Sequence, residues 1–368
     1  MEGNVTASYE HEALEALPYG VFISDAEGYV LYSNTRYKED YHNDTKVWKP
    51  SEREQLHSSL LELLDKLKTD GKGDTVGEVL YLPDKYDNRG NRIERYVSVR
   101  RLQDAQLAGN YMGIIEDAEF ANLQEDLKRA RTLQMNMLPE NQCMQGGIRY
   151  GYRYKAAHMI GGDMINVYAT DRYPEQKAKD TMAVLTDVSG HGTLGSLLAV
   201  FTKASWDMTE ISPANAFADF YQKFKKLEIA DDTYITGVAC RIDQTAQKII
   251  YSYAGHDAPL FLKHGNTVRV FRQERSCVIS DVWYRGNVHY ADSEEVFSDG
   301  DIFVMMSDGI LACTDQNNSI IDEAYIERLL LRSRSATEFL DNLWRVKSDV
   351  QPDDCTVLAF DLTDREEA

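Results

Sequence analysis

Apolar positions along the chain fall into three patterns, and each predicts a different kind of element. From residue 20 to 116 they form short runs, GVFISD, YVLYSN, GEVLYL, ERYVSVRRL and NYMGIIE, with a polar helical stretch over 51–68 after the first two. Short runs rich in β-branched and aromatic residues and bounded by turn signals are strands. Asp25-Ala26-Glu27-Gly28 and Asp87-Asn88-Arg89-Gly90-Asn91 supply turn chemistry between them, and connections that short join antiparallel neighbours. Short strands, a helical middle and longer strands predict a small α+β unit laid out like a sensor domain.

A helical pattern follows. Phe120, Leu123, Leu127, Ala130, Leu133 and Met137 recur at three- and four-residue spacing among charges until Pro139, which predicts a linker helix with one apolar stripe. The stripe is shorter than a convincing coiled coil, and two arrangements satisfy it: packing on its own domain, or pairing with a second chain. Its place between two strand-rich regions favours a transmitting role.

The third pattern starts after Gln145-Gly146-Gly147. The runs IRYGYRYKAA, DMINVYA, TMAVLTD, YITGVACRID, KIIYSYAG, DIFVMMSD and CTVLAFDL read as strands, with helical blocks at 195–210 and 213–226 and two more near the C-terminus. Helices inserted as blocks, instead of one after every strand, predict an α/β sandwich and not a doubly wound parallel sheet. The segment 272–298 fits no element and is polar enough for a flap or surface insertion.

Length and charge narrow the picture. A chain of 368 residues exceeds what one core usually supports, so the expected domains are 1–117, a linker over 118–141, and 142–368. A net charge of −20, from 60 acidic and 40 basic residues, would repel phosphate and argues against nucleic acid or an anionic membrane surface as partner. The cysteines at 143, 240, 277, 313 and 355 are odd in number and lack zinc spacing, as expected of reduced thiols in the cytoplasm. No export signal and no apolar run of about 18 residues is present, so neither secretion nor a membrane span is expected.

Four acidic sites carry the chemistry: Gly161-Gly162-Asp163, Thr186-Asp187-Val188-Ser189-Gly190-His191-Gly192, Ser307-Asp308-Gly309 and Asp353-Asp354-Cys355-Thr356. Each lies beside glycine or at the end of an apolar strand, where a carboxylate is costly unless something positive meets it. Converging, they would form an oxygen-only cluster suited to Mg²⁺ or Mn²⁺, since zinc would call for His and Cys. Two such ions could share and acidify a water for attack on phosphorus. Any one of these motifs alone is an ordinary turn; their ordered combination is the signal.

That order, GGD, DVSGHG, AGH, SDG and DDxT, resembles the SpoIIE-type branch of the PPM phosphatases over about residues 120–363, including the lead-in Ala130-Arg131-Thr132-Leu133-Gln134 to Met137-Leu138-Pro139. The N-terminal third more loosely resembles a PAS domain. The resemblance implies a PAS fold, a helical linker and a PPM-type α/β/β/α sandwich, and a metal-dependent protein serine/threonine phosphatase using two divalent ions, Mn²⁺ or Mg²⁺. It implies that Asp187 bridges both ions, that the Val188 carbonyl and Asp163 share its site, and that Asp308 and Asp353 complete the other shell. Asp354 would then accept hydrogen bonds behind the ligands. His191 would hold a ligand carboxylate or, less favourably, protonate the leaving serine alkoxide. The implied partner is a phosphorylated regulator of the anti-sigma-factor-antagonist type; the linker implies a homodimer, and the sensor an activating protein or small ligand.

Some residues depart from the resembled pattern. Asn166 stands where a second acid is usual, Asp257 replaces the asparagine of AGHNPP, and Ile310-Leu311-Ala312 follows SDG where Thr-Glu-Ala is common. These changes bear on substrate choice and rate, and they make a non-catalytic binder of a phosphorylated partner the alternative reading. His256 reads as a structural residue of the turn before Pro259. In the sensor, no cysteine precedes position 143, which removes cysteinyl-flavin photochemistry. His42 and His57 are more readily surface residues than haem ligands, and Tyr19, Phe22, Tyr32, Tyr37 and Trp48 more readily core than pocket.

Overall fold

The computed structural model describes residues 14–41, 55–69, 75–86, 91–102, 109–170, 180–189, 193–227, 229, 233–273, 276–280 and 288–362. The chain divides into two compact units, Met1–Asp126 and Leu127–Ala368.

In the first unit, β1 (Gly20–Ser24), β2 (Val30–Ser33), α1 (Thr35–Tyr41), α2 (Ser58–Thr69), β3 (Thr75–Tyr86), β4 (Arg92–Arg101) and β5 (Tyr111–Asp117) follow in order. The strands make one antiparallel sheet in the order β2-β1-β5-β4-β3. The β1–β2 turn is set by Asp25, whose Oδ1 accepts the N–H groups of Glu27 and Tyr29 at 3.1 and 2.8 Å. Gly28 takes the φ of +82° that the turn needs. Leu60, Leu63, Leu64 and Leu67 of α2 are buried with Phe22, Tyr37, Val97 and Val99, the three-and-four spacing of a helix laid on a sheet. Phe22 and Tyr37 are therefore core, as expected. Helix α2 starts at Ser58, later than the expected 51, because Gln55 pairs with Tyr29 and the Leu56 N–H donates to Gly28. His57 is exposed beside Ser59, whereas His42, Trp48 and the turn at 87–90 lie outside the described residues.

Helix α3 (Ala118–Met137) leads into the second unit. There follow β6 (Cys143–Gln145), β7 (Ile148–Lys155), β8 (Met164–Thr170), β9 (Asp180–Val188), α4 (Thr193–Ser205), α5 (Pro213–Lys225), β10 (Ile235–Asp243), β11 (Lys248–Ala254), β12 (Leu260–His264), β13 (Thr267–Phe271) and β14 (Ser293–Val296). The chain closes with β15 (Asp301–Met306), α6 (Asp308–Leu311), α7 (Glu323–Arg332), α8 (Ala336–Val346) and β16 (Cys355–Leu362).

Two antiparallel sheets, β14-β11-β10-β9-β8 and β13-β12-β15-β16-β7-β6, face each other. Helices α4 and α5 cover the first sheet and α7 and α8 the second, giving four layers. The continuous apolar run of β15 follows from this sandwiching. Phe303 and Met305 enter the core between the sheets, while Ile302, Val304 and Met306 pack under α7 and α8. Helix α5 buries Phe217, Phe220 and Phe224, each contributing about 1.5–3 kcal/mol, and its N-terminus is capped by the Ser212 hydroxyl accepting from Asn215 N–H at 3.2 Å.

The segment 272–298 is more than a polar flap. Ile279 and Ser280 are fully buried and Tyr290 is 5% exposed. Ile279 exchanges backbone hydrogen bonds with Ile235 at 2.8 and 2.9 Å, and β14 extends the first sheet along β11.

Candidate active site

The four acidic motifs sit where strands of the two sheets end. Asp163 immediately precedes β8, and Asp187 is the penultimate residue of β9, with Met164 opposite Thr186 across the ladder. Asp308 opens α6 directly after β15, and Asp353 and Asp354 directly precede β16. The second pair of loops is held together by the Ser307 N–H donating to the Thr356 carbonyl at 2.9 Å and the Thr356 N–H to the Ser307 hydroxyl at 3.0 Å.

Asp187, Asp308 and Asp353 line one open cavity of about 440 Å³ with Val188, Ser189, Tyr234 and Thr236, and with Asp257 and His158. Asp163 lies behind this wall, 1% exposed. Its Oδ2 accepts from the Thr356 hydroxyl at 2.5 Å, and its Oδ1 is buried without a hydrogen-bond partner.

Electrostatics are strained in one direction. Burial, then the neighbouring charges of Asp187 and Asp354, raise the Asp163 carboxyl well above the usual carboxylate range. Asp187 is pushed up to about 8 by burial and then by Asp308, Asp353 and Asp354, and it also shares a carboxyl–carboxyl hydrogen bond with Asp308. Among the described residues no three His, Cys, Asp or Glu side chains converge tightly on one point; the acids surround a space. An orphaned buried carboxylate oxygen and two carboxyls in mutual contact nonetheless call for positive charge between them. An all-oxygen donor set suits Mg²⁺ or Mn²⁺, so the residues fit divalent cations.

The two adjacent acids of the last motif divide their work. Asp353 is exposed to the cavity, whereas Asp354 is 7% exposed and turned toward the 157–163 loop. Its Oδ1 accepts from Ala157 N–H at 2.7 Å and its Oδ2 from Gly162 and Asp163 N–H at 2.5 and 3.2 Å. Gly309 has no room for a side chain, since a Cβ would strike the Asp354 carbonyl. On the other side of the centre, the Val188 carbonyl lies against Gly162.

His191, with Gly190 and Gly192, lies outside the described residues. His256 is buried, its Nε2 bonded to the Met306 carbonyl at 2.9 Å and its Nδ1 beside the Thr236 hydroxyl at 3.4 Å. Burial holds its pKa below the usual histidine value, so it is neutral with the proton on Nε2, tying the AGH turn to the end of β15. Asn166 points away from the cavity toward α4, where its Oδ1 accepts from Lys203 Nζ at 2.7 Å. Asp257 does line the cavity, so of these two departures only Asp257 reaches the site. Sequence reasoning passed over Gln134, which is 3% exposed and bonded to Gly161, and the hydroxyl of Thr356; the lead-in helix and the DDxT motif were their only local signals.

This architecture is that of PP2C phosphatases. The SiaA PP2C domain of Pseudomonas aeruginosa superposes with a TM-score of 0.54 at 20% identity, over 66% of this chain and 98% of that one. Also similar are the PP2C domain with a regulatory fragment of SpoIIE from Bacillus subtilis, at TM-score 0.47, 14% identity and 83% and 87% coverage. The RsbU and RsbW domains of a Mycobacterium tuberculosis protein match at 0.47, 20% identity and 59% and 60% coverage. The family model for Stage II sporulation protein E (SpoIIE) matches residues 177–363, half of the chain. The chain belongs to the SpoIIE family. No curated protein sequence matches it.

Proposed function

We propose that this chain is a sensor-regulated, metal-dependent protein serine/threonine phosphatase. The observation that carries the proposal is the meeting of Asp187, Asp308 and Asp353 on one open cavity with Asp163 and its unpartnered oxygen behind them. Membership of the SpoIIE family and the PP2C fold support it.

In this reading Asp163, Asp187, Asp308, Asp353 and the Val188 carbonyl hold two divalent cations, Mn²⁺ or Mg²⁺. Such ions supply charge to neutralise phosphoryl oxygens and to acidify an attacking water. The chain's own contribution is placement. Asp354 fixes the 157–163 loop through three backbone N–H groups. Ser189, Tyr234 and Thr236 on the cavity wall offer hydroxyl donors to a phosphoester. His191, next to this wall in sequence, is assigned to hold a ligand carboxylate in place.

The substrate is a phosphoserine or phosphothreonine on a regulatory protein of the anti-sigma-factor-antagonist type, a reading supported by the family. The N-terminal unit is a PAS-type sensor for an activating protein or small ligand, supported by the strand order β2-β1-β5-β4-β3 with its helices between β2 and β3. Leu123 and Leu133 of α3, 55% and 61% exposed, support a homodimer joined along that helix. Free cysteines are in keeping with a cytoplasmic protein; among the described residues no helix is long and apolar enough to cross a membrane.

Phosphate release from a phosphoserine protein and from a panel of nucleotides, with Mn²⁺ and with chelator, tests the assignment. Metal-dependent release from the protein substrate is expected. Binding of the phosphoprotein without turnover at any metal concentration would establish the non-catalytic alternative instead.

A further inference from the structure

We propose that Gln134, near the end of α3, is a positioning residue for the metal centre, holding the Gly161 peptide so that Asp163 is correctly placed. The inference rests on the phosphatase reading above and names the point at which the linker helix grips the site.

Helix α3 is built against the usual rule of an amphipathic helix. Among its described side chains from Leu123 to Met137, Gln134 alone is buried, while Leu123 and Leu133 of the apolar stripe stand 55% and 61% exposed. A helix docking for hydrophobic gain buries its leucines; this one buries an amide, which is unfavourable unless both ends are paired. Both ends go to the backbone of a single residue. Gln134 Nε2 donates to the Gly161 carbonyl at 2.7 Å, and Oε1 accepts from the Gly161 N–H at 3.1 Å. The Tyr154 hydroxyl supports the same Oε1 from 3.4 Å.

Two bonds to one residue fix its orientation as well as its position. Gly161 has no slack on its other side, because a Cβ there would collide with the Tyr154 hydroxyl and the Asp354 carboxylate. The next two N–H groups, of Gly162 and Asp163, both bond to Asp354 Oδ2. The loop carrying Asp163 is therefore gripped from two directions, by Asp354 at the start of β16 and by Gln134 on α3. Since the Gln134 bonds are to backbone, no rotamer change between Gly161 and Asp163 absorbs a displacement of the helix end. A shift or rotation of α3 moves the loop.

An anchoring role alone makes a different prediction: loss of Gln134 would weaken the seating of α3 and leave metal affinity untouched. The discriminating experiment uses the full chain, with Gln134→Met, which keeps the length and removes both bonds, and Gly161→Ala, which displaces the same residue from the opposite side. Mn²⁺ binding is followed by electron paramagnetic resonance of the free ion, and thermal unfolding is recorded without metal. Both variants are expected to bind Mn²⁺ about 10-fold or more weakly, the scale of lost support behind a metal ligand, with turnover recovering toward wild type at saturating Mn²⁺. A Gln134→Met protein that melts earlier but binds Mn²⁺ like wild type overturns the inference. If that variant does not fold, wild-type Mn²⁺ affinity in Gly161→Ala overturns it equally. Wild-type protein that takes up no Mn²⁺ would instead bring down the underlying metal reading, and this inference with it.

Discussion

Thr356 and Asp163 meet across the boundary between the two sheets of the second unit: the threonine hydroxyl donates to Asp163 Oδ2 at 2.5 Å, leaving Oδ1 of the same carboxylate without a partner. One oxygen is fixed by protein, and under the proposed metal reading the other is a cation ligand. Thr356→Val preserves shape and removes the donor, so metal affinity should fall about 10-fold or more, while Thr356→Ser should retain most of it. Calorimetric Mn²⁺ titration of both variants checks this.

The neighbours Asp353 and Asp354 should separate cleanly. Asp354→Ala strands three N–H groups, of which those of Gly162 and Asp163 are buried, each unpaired group costing about 1–3 kcal/mol, so a loss of several kcal/mol in urea unfolding is expected. Asp353→Ala removes an exposed side chain that accepts from the Asp354 N–H at 2.8 Å. It should lower stability by about 1 kcal/mol or less, yet abolish metal-dependent turnover.

Raised carboxyl pKa values set a direction for pH. With Asp187 pushed up to about 8 in the folded, metal-free protein, against an ordinary value of 3.8, the native state binds more protons than the unfolded one between those values. Stability of the metal-free protein therefore falls as pH rises through that window. Cations compete with the same protons, so apparent Mn²⁺ affinity should rise with pH up to about 8. Melting temperatures with and without Mn²⁺ should diverge as pH increases from 6 to about 8; parallel curves would contradict the assignment.

Much of this was legible from local pattern, because strands such as β9, β15 and β16 and the glycine-flanked acids announce themselves within a few residues. Other parts are set by partners far away in the chain. Hairpin β12–β13 and strand β14 are short and partly polar, and they are strands because β15 and β11 accept them. Cys277-Val278-Ile279 looks like a short apolar interruption of a polar segment until Ile235 pairs with Ile279. Asn166 was expected to bear on substrate choice and rate as a replaced acid; its strand parity directs it to Lys203 and away from the cavity. Gln134 was marked only by its place in the lead-in motif, because nothing in a helix's own period singles out the polar side chain that will be buried.

The exposed stripe of α3 makes a further prediction. Leu133→Glu, at a position 61% exposed in the single chain, should leave the fold intact and shift the protein toward monomer in sedimentation velocity, because a charge is not tolerated in a helix-pair seam. An unchanged sedimentation coefficient, already monomeric in wild type, would remove the dimer from the account.

The central claim is that Asp187 is the pivot of a catalytic metal centre. The most direct measurement is Mn²⁺-dependent dephosphorylation of a phosphoserine protein by the wild-type chain and by Asp187→Asn. Wild-type activity that requires Mn²⁺, with a loss of at least about 100-fold in the variant, is predicted. Equal rates in the two proteins, or activity in wild type that survives chelation, would contradict it.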